Sequence, residues 1–142
     1  MVTVASVSEV MTKDVTSLPS DASVIEAALA MRGGDIGFVV MEAGGQPRGV
    51  VTDRDITVRV VAEGLDPSET KLGQISSTEI VCLTPEQSIQ DAARLMRELA
   101  VRRLPVVDEN DCLVGVVSIG DLAVEKDPES ALADISASSP NR

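Results

Sequence analysis

Residues Gly49–Ile56 read GVVTDRDI, and Gly115–Leu122 repeat the pattern as GVVSIGDL. Each runs glycine, two valines, a hydroxyl residue, two variable positions, an aspartate and an aliphatic residue. Gly-Val-Val has the β-branched character of a strand, and a hydroxyl three positions before a carboxylate suits the first turn of a helix. The same groups, Thr52 with Asp55 and Ser118 with Asp121, also suit the holding of a ribose, whose adjacent hydroxyls can both donate to one carboxylate. Helix cap and binding site are both open readings of this stretch.

Working outward, the repeat extends over most of the chain. A shift of 65 residues lays Ser23 on Ser88, Ala27 and Ala28 on Ala92 and Ala93, and Met31 on Met96. One extra residue near Asn110–Asp111 raises the shift to 66, which carries Gly49 to Gly115 and Asp55 to Asp121. A turn between matched strands is where a duplicated unit tolerates an insertion.

Each copy opens with a short amphipathic segment, Val7–Met11 or Leu72–Ile75, and a brief strand, Val15–Leu18 or Ile80–Leu83. A helix follows. In copy two Thr84 reads as its N-cap, Pro85 as its first residue and Gln87 as the capping-box partner. Ile89, Ala92, Ala93 and Met96 then mark one buried face, repeated in copy one by Val24, Ala27, Ala28 and Met31 before a stop at Gly33-Gly34. A hairpin comes next, Ile36–Met41 with Arg48–Thr52 through a turn at Glu42–Gln46, and Val101–Val107 with Leu113–Ser118 through Asp108–Asp111. Second helices are predicted over Asp53–Glu63, stopped by Gly64, and over Ile119–Lys126.

The predicted class is therefore α/β (α+β): two strand-helix-strand-strand-helix motifs, 7–66 and 72–126, joined by a linker at Leu65–Lys71 and followed by a Ser/Ala-rich flexible tail, 127–142. One motif alone is marginal, because its sheet has an uncovered face. Two motifs packed with pseudo-two-fold symmetry bury both.

Composition narrows the function. The 142 residues carry a net charge of -11, which argues against a nucleic-acid backbone as partner, although not against one nucleotide in a local pocket. Phe38 is the only aromatic residue, so the core is aliphatic. With no histidine, His-dependent catalysis and His-metal sites are excluded, and no phosphate loop or nucleophile elbow is written in the chain. Cys82 and Cys112 lack metal-ligand spacing and read as free thiols of a reducing cytoplasm. The opening MVTVASVSEVMTKD lacks the basic start and apolar run of a signal peptide, and no stretch approaches the ~20 apolar residues of a membrane span. The expectation is a cytoplasmic protein that is not an enzyme, with no metal and no required cofactor.

The openings VSEVMTKDVTSL and LGQISSTEIVCL, the helix alanines, VRRLPVVDENDCLVGVV and the paired GVVTDRD and GVVSIGD together resemble the CBS (cystathionine β-synthase) motif. Two motifs in tandem resemble a Bateman module, of the stand-alone class that includes bacterial hypoxic-response-type proteins. Copy one departs from the motif at Val40, where a proline is usual and where copy two has Pro105. The resemblance implies a regulatory sensor that binds AMP, ADP, ATP or S-adenosylmethionine in clefts between the motifs. It also implies a homodimer of modules signalling to a protein target, with no nucleic acid or membrane partner.

The resemblance further implies two unequal clefts. One joins Asp121, Ser118, Val116, Arg102 and Arg103 to the Thr12–Val15 edge. The other joins Asp55, Thr52, Val50 and Arg54 to the Ser77–Ile80 edge, with Gly37 and Phe38 where copy two has its arginines. Val15, Ile36, Val50, Ile80, Val101 and Val116 are the candidates for an apolar adenine slot. An arginine pair clamps phosphate well, whereas Asp53 beside Asp55 partly cancels Arg54, so the Asp121 cleft is expected to favour phosphorylated ligands.

Overall fold

The computed structural model describes residues 5–76 and 80–126, with side chains described as far as residue 123. The predicted tail and Ser77–Glu79 of the predicted edge lie outside the described residues. In chain order the elements are α1 (Val7–Val10), β1 (Ser17–Pro19), α2 (Val24–Gly34), β2 (Phe38–Ala43), β3 (Gln46–Thr52) and α3 (Asp53–Ile56). They continue with a π-helical turn (Thr57–Val61), α4 (Leu72–Ile75), α5 (Ile89–Leu99), β4 (Arg103–Val107), β5 (Leu113–Ser118) and α6 (Ile119–Lys126). These elements form two compact units: of the described residues, one takes 15–76 with Ile80, and the other takes 5–14 with 81–126.

In the unit built on copy one, β1 runs parallel to β2, and β2 runs antiparallel to β3. The β2–β3 turn is tighter than predicted: Gly44 (φ 61) and Gly45 (φ 82) make it alone, at a positive φ that few other residues adopt. On α2, Ser23 Oγ accepts from Glu26 N at 3.2 Å while Glu26 Oε2 accepts from Ser23 N at 3.1 Å, a complete capping box. The helix buries Val24, Ala27 and Met31 in a core with Val39, Met41 and Val51, and Ala28 stays partly exposed. Gly33 and Gly34 fall inside the last turn rather than stopping it. The chain leaves the helix through Asp35 at φ 54, a left-handed conformation that Asp tolerates better than most residues. The predicted second helix is α-helical for its first four residues only and then widens, Ala62 N donating to Thr57 O at 2.9 Å, before Gly64 (φ 70) ends it.

The other unit carries the antiparallel pair β4–β5 and a second aliphatic core around Leu83, Ile89, Ala92, Met96, Val106 and Val117. Here two expectations are corrected. The predicted strand Ile80–Leu83 is reduced to one parallel bridge, Leu83 to Val106. In copy one Val40 N donates to Thr16 O at 2.9 Å, and the matching position is Pro105, which has no N–H to donate. Leu83 still bonds to either side of the proline, its N to Pro105 O at 2.8 Å and its O to Val107 N at 2.9 Å.

The second correction concerns the start of α5. Its cap is Ser88, whose Oγ accepts from Asp91 N at 3.1 Å, not Thr84. Thr84 and Gln87 do bond, Thr84 N to Gln87 Oε1 at 2.8 Å, but they close a separate turn. The carbonyls of Pro85 and Gln87, which a helix from Pro85 needs for its own ladder, accept instead from Ser8 N (3.0 Å) and Val7 N (2.8 Å) of α1.

That contact belongs to an exchange. α1 opens copy one in sequence yet docks on copy two, while α4 opens copy two and docks on copy one, Leu72 N bonding to Ala22 O and Gly73 N to Ser20 O, both at 2.9 Å. Val7 and Leu72 are fully buried in their hosts, each worth roughly 1.5–3 kcal/mol of apolar burial. The predicted linker is tied into the copy-one unit, with Val24 N bonded to Thr70 O at 2.8 Å and Ile25 N to Pro67 O at 3.0 Å.

Candidate functional site

Both repeats of the signature turn from strand to helix through the same pair of bonds. In copy two, Asp121 Oδ2 accepts from Ser118 N at 2.8 Å and Asp121 N donates to Ser118 Oγ at 3.1 Å. In copy one, Asp55 Oδ2 accepts from Thr52 N at 2.9 Å and Asp55 N donates to Thr52 Oγ1 at 3.1 Å. The helix-cap reading is therefore satisfied in each. It leaves chemistry over: among the described residues neither Oδ1 takes a hydrogen bond, and each hydroxyl, accepting from an N–H, keeps its own proton to donate.

A second bond also recurs, and its surroundings differ. Ile119 N donates to Arg102 O at 2.9 Å, which fixes Arg102 beside the start of α6, and Arg103 pairs in register with Ser118. At the matching place Asp53 N donates to Gly37 O at 2.9 Å, and Phe38 pairs with Thr52. A Cβ on Gly37 would lie 3.1 Å from Asp53 Oδ2, so the carboxylate occupies the space that a larger residue would need. Arg54 is exposed, its N–H donating to Asp53 Oδ1 at 2.9 Å. Copy two thus sets two arginines beside its capping box, and copy one sets an extra acid there.

Of the predicted Thr12–Val15 edge, Thr12 lies against Val116. Thr12 and Val116 exchange both backbone bonds, 2.9 and 3.0 Å, which lays the residues after α1 along β5. Gly115 permits this approach: a Cβ there would stand 2.6 Å from Met11 Sδ and 3.0 Å from the Thr12 carbonyl oxygen. Asp121, Ser118, Val116, Arg102, Arg103, Val101 and Thr12 all fall in one compact unit. Asp55, Thr52, Val50, Arg54, Ile36, Val15 and Ile80 fall in the other, so Val15, expected beside Asp121, is in the unit of Asp55 instead. Of the predicted adenine slot, Val116 is buried at 2% exposure, Val101 is exposed at 37%, and Val15, Ile36, Val50 and Ile80 are half-buried.

Sequence reasoning did not reach a cavity of about 440 Å³ in the copy-one unit, lined by Val58, Arg59, Leu65, Thr70, Gln74 and Ile75 among others. It forms because the ordered linker, α4 and the π-helical turn meet, with Arg59 Nη1 donating to Ile75 O at 2.5 Å. The signal in sequence was slight: Asp66 and Thr70, whose N–H and hydroxyl both donate to Asp66 O, at 3.0 and 2.8 Å. Cys82 and Cys112 are free thiols; burial, and then the charge of Asp111, push the Cys82 thiol above its ordinary pKa. Among the described residues no three metal-ligating side chains are gathered, and no helix is long and apolar enough to cross a membrane.

Two repeats, each turning from a Gly-Val-Val strand into a hydroxyl-capped helix, define a tandem α/β module. The CBS domain model matches residues 7–62 and 72–126, and the chain belongs to the CBS domain family. The CBS domain-containing protein YhcV of Bacillus subtilis is 39% identical over 136 residues, covering 93% of this chain and 96% of its own. Hypoxic response protein 1 of Mycobacterium tuberculosis is 36% identical over 117 residues, 81% of this chain and 80% of its own. The CBS domain pair of protein MJ0100, solved in complex with 5′-methylthioadenosine and S-adenosyl-L-methionine, superposes with a TM-score of 0.80 at 19% identity, over 90% of this chain and all of that one, a likeness of fold. CBS pairs are typically regulatory modules rather than catalysts.

Proposed function

We propose that this chain is a cytoplasmic sensor that takes an adenine nucleotide or adenosyl ligand, of the AMP, ADP, ATP or S-adenosylmethionine kind, at the Asp121 end of its second repeat, and that this end favours the phosphorylated members of that set. The observation that carries this reading is the recurrent backbone bond into each second helix, which stations Arg102 beside the Ser118–Asp121 box and Gly37 beside an acid in copy one. Asp121 Oδ1 accepts from the ribose hydroxyls, the Ser118 hydroxyl donates to an oxygen of the ligand, and the arginines neutralise phosphate. The α6 N-terminus adds its dipole in the same sense. Ligand binding then alters a surface read by a protein target, the module acting as a homodimer. A thermal-shift screen with AMP, ADP, ATP and S-adenosylmethionine tests it: a ligand at 1,000 times its Kd stabilises by about 4 kcal/mol, and no shift with any of them rejects the reading.

A second reading, an interaction module with vestigial clefts, is favoured by one observation. Both hydroxyls and one oxygen of each carboxylate are already engaged in capping, so the signature retains a purpose with no ligand at all.

A further inference from the structure

The cavity beside the π-helical turn lies wholly within the copy-one unit, and no residue of either capping box lines it. Its volume of about 440 Å³ falls in the range of small-molecule sites, roughly 300–1,000 Å³. The backbone leaves its regular course here. The helix that begins as α3 widens over Thr57–Val61 into a π-turn, a rare form frequent at functional sites, and Val58 and Arg59 of that turn line the cavity. Copy two has neither the π-turn nor the arginine: α6 is α-helical over Ile119–Lys126, and the shift of 66 lays Glu125 on Arg59.

The polar groups of the cavity carry both signs and are not spent on one another. Arg59 gives one N–H to Ile75 O, and Gln74, the residue before, accepts from Lys71 N through its Oε1. The remaining guanidinium donors and the Gln74 amide NH2 are left at the Ile75 end. Acceptors come from the chain that follows the π-turn. The Thr70 hydroxyl has given its proton to Asp66 O, and among the described residues the carboxylates of Glu63 and Glu69 take no hydrogen bond or ion pair. Glu63 stands four residues after Arg59, the spacing at which opposite charges meet on a regular helix, yet no ion pair joins them. Val58 and Leu65, 46% and 48% exposed, add apolar wall.

We propose that this cavity binds a small aliphatic α-amino acid, its carboxylate on Arg59 and Gln74 and its ammonium on Glu63, Glu69 and Thr70. A simple anion would bring its charge against two carboxylates, and a simple cation would meet a guanidinium. A zwitterion finds opposite charge at each end, in charge-assisted hydrogen bonds. The three N–H groups of its ammonium match the three acceptors, and its aliphatic side chain covers Val58 and Leu65. The site goes beyond the sensor reading, since it gives copy one a ligand whose chemistry owes nothing to the hydroxyl-aspartate boxes.

The test titrates L-leucine into the full chain and follows amide NMR signals, with 4-methylpentanoate and 3-methylbutylamine as analogues that keep one charge each. L-leucine at millimolar concentration is expected to shift the signals of Val58, Thr70 and Gln74, and each analogue to bind at least tenfold more weakly. Arg59→Gln and Glu69→Gln are each expected to weaken leucine binding at least tenfold. Glu69→Gln removes no side-chain contact of the fold, so its effect reads the ligand alone, with an unchanged Tm as the check. Arg94→Gln, on α5, should leave leucine binding as it was. No shift with leucine, equal binding of either analogue, or undiminished binding in either cavity variant overturns the proposal. ATP titrated into the parent chain is scored separately, so failure of this site and failure of the sensor reading remain distinguishable.

Discussion

Copy one and copy two share a backbone plan and have divided what it can do. Copy one keeps a three-stranded sheet, an acid beside its capping box and aliphatic side chains on the exposed face of α2. Copy two gives up most of its first strand, sets arginines beside its box and charges the exposed face of α5. Each difference traces to a few side chains on an otherwise repeated frame: Val40 or Pro105, Gly37 or Arg102, Leu29 or Arg94. A duplicated fold tolerates this because hydrogen bonds between backbone groups carry the plan. The exchange of α1 and α4 uses matched pairs throughout, Val7 to Gln87 and Leu72 to Ala22. Side chains that face outward or edgeward are then free to diverge.

The largest expected effect comes from forcing copy one to resemble copy two. Val40→Pro removes the bond from Val40 N to Thr16 O within the central strand, and a loss of about 2–3 kcal/mol is expected in urea unfolding. The reverse change, Pro105→Val, restores a donor, and hydrogen exchange should find a protected amide at 105 with a stability change under about 1 kcal/mol. Next in size, Gly115→Ala drives a methyl against Met11 and the Thr12 carbonyl; a cost of roughly 1–3 kcal/mol is expected, with faster exchange of the Thr12 and Val116 amides. Smaller still, Ser88→Ala should cost about 1 kcal/mol of stability, whereas Thr84→Ala should cost a few tenths at most, because only Ser88 caps α5. Equal losses at the two positions would contradict that cap.

The sequence was most legible where local chemistry decides. The repeat, both hairpins, the buried faces of α2 and α5, and the hydroxyl-aspartate boxes all follow from short spacings, and the structure has them. It was least legible where a distant segment competes. Thr84-Pro85 has every mark of a helix start, but α1, at the far end of the chain, claims the carbonyls of Pro85 and Gln87. Nothing near Val81 announces that its strand fails; the cause sits in Pro105, on the neighbouring strand. The arginines beside Ser118 could be named from the chain alone, while their placement rests on one backbone bond, Ile119 N to Arg102 O, that no pattern displays. The cavity at the π-helical turn escaped likewise, since it forms only where the ordered linker and α4 meet that turn.

The most direct test of the division between the copies is a calorimetric titration of ATP into the parent chain, Asp121→Asn and Asp55→Asn. Asparagine keeps an acceptor for each helix cap and removes the carboxylate. The account predicts that Asp121→Asn weakens ATP binding at least tenfold and that Asp55→Asn leaves it within about twofold, a difference of roughly 1 kcal/mol or more between the copies. Unchanged affinity in Asp121→Asn, or an equal loss in Asp55→Asn, would contradict it.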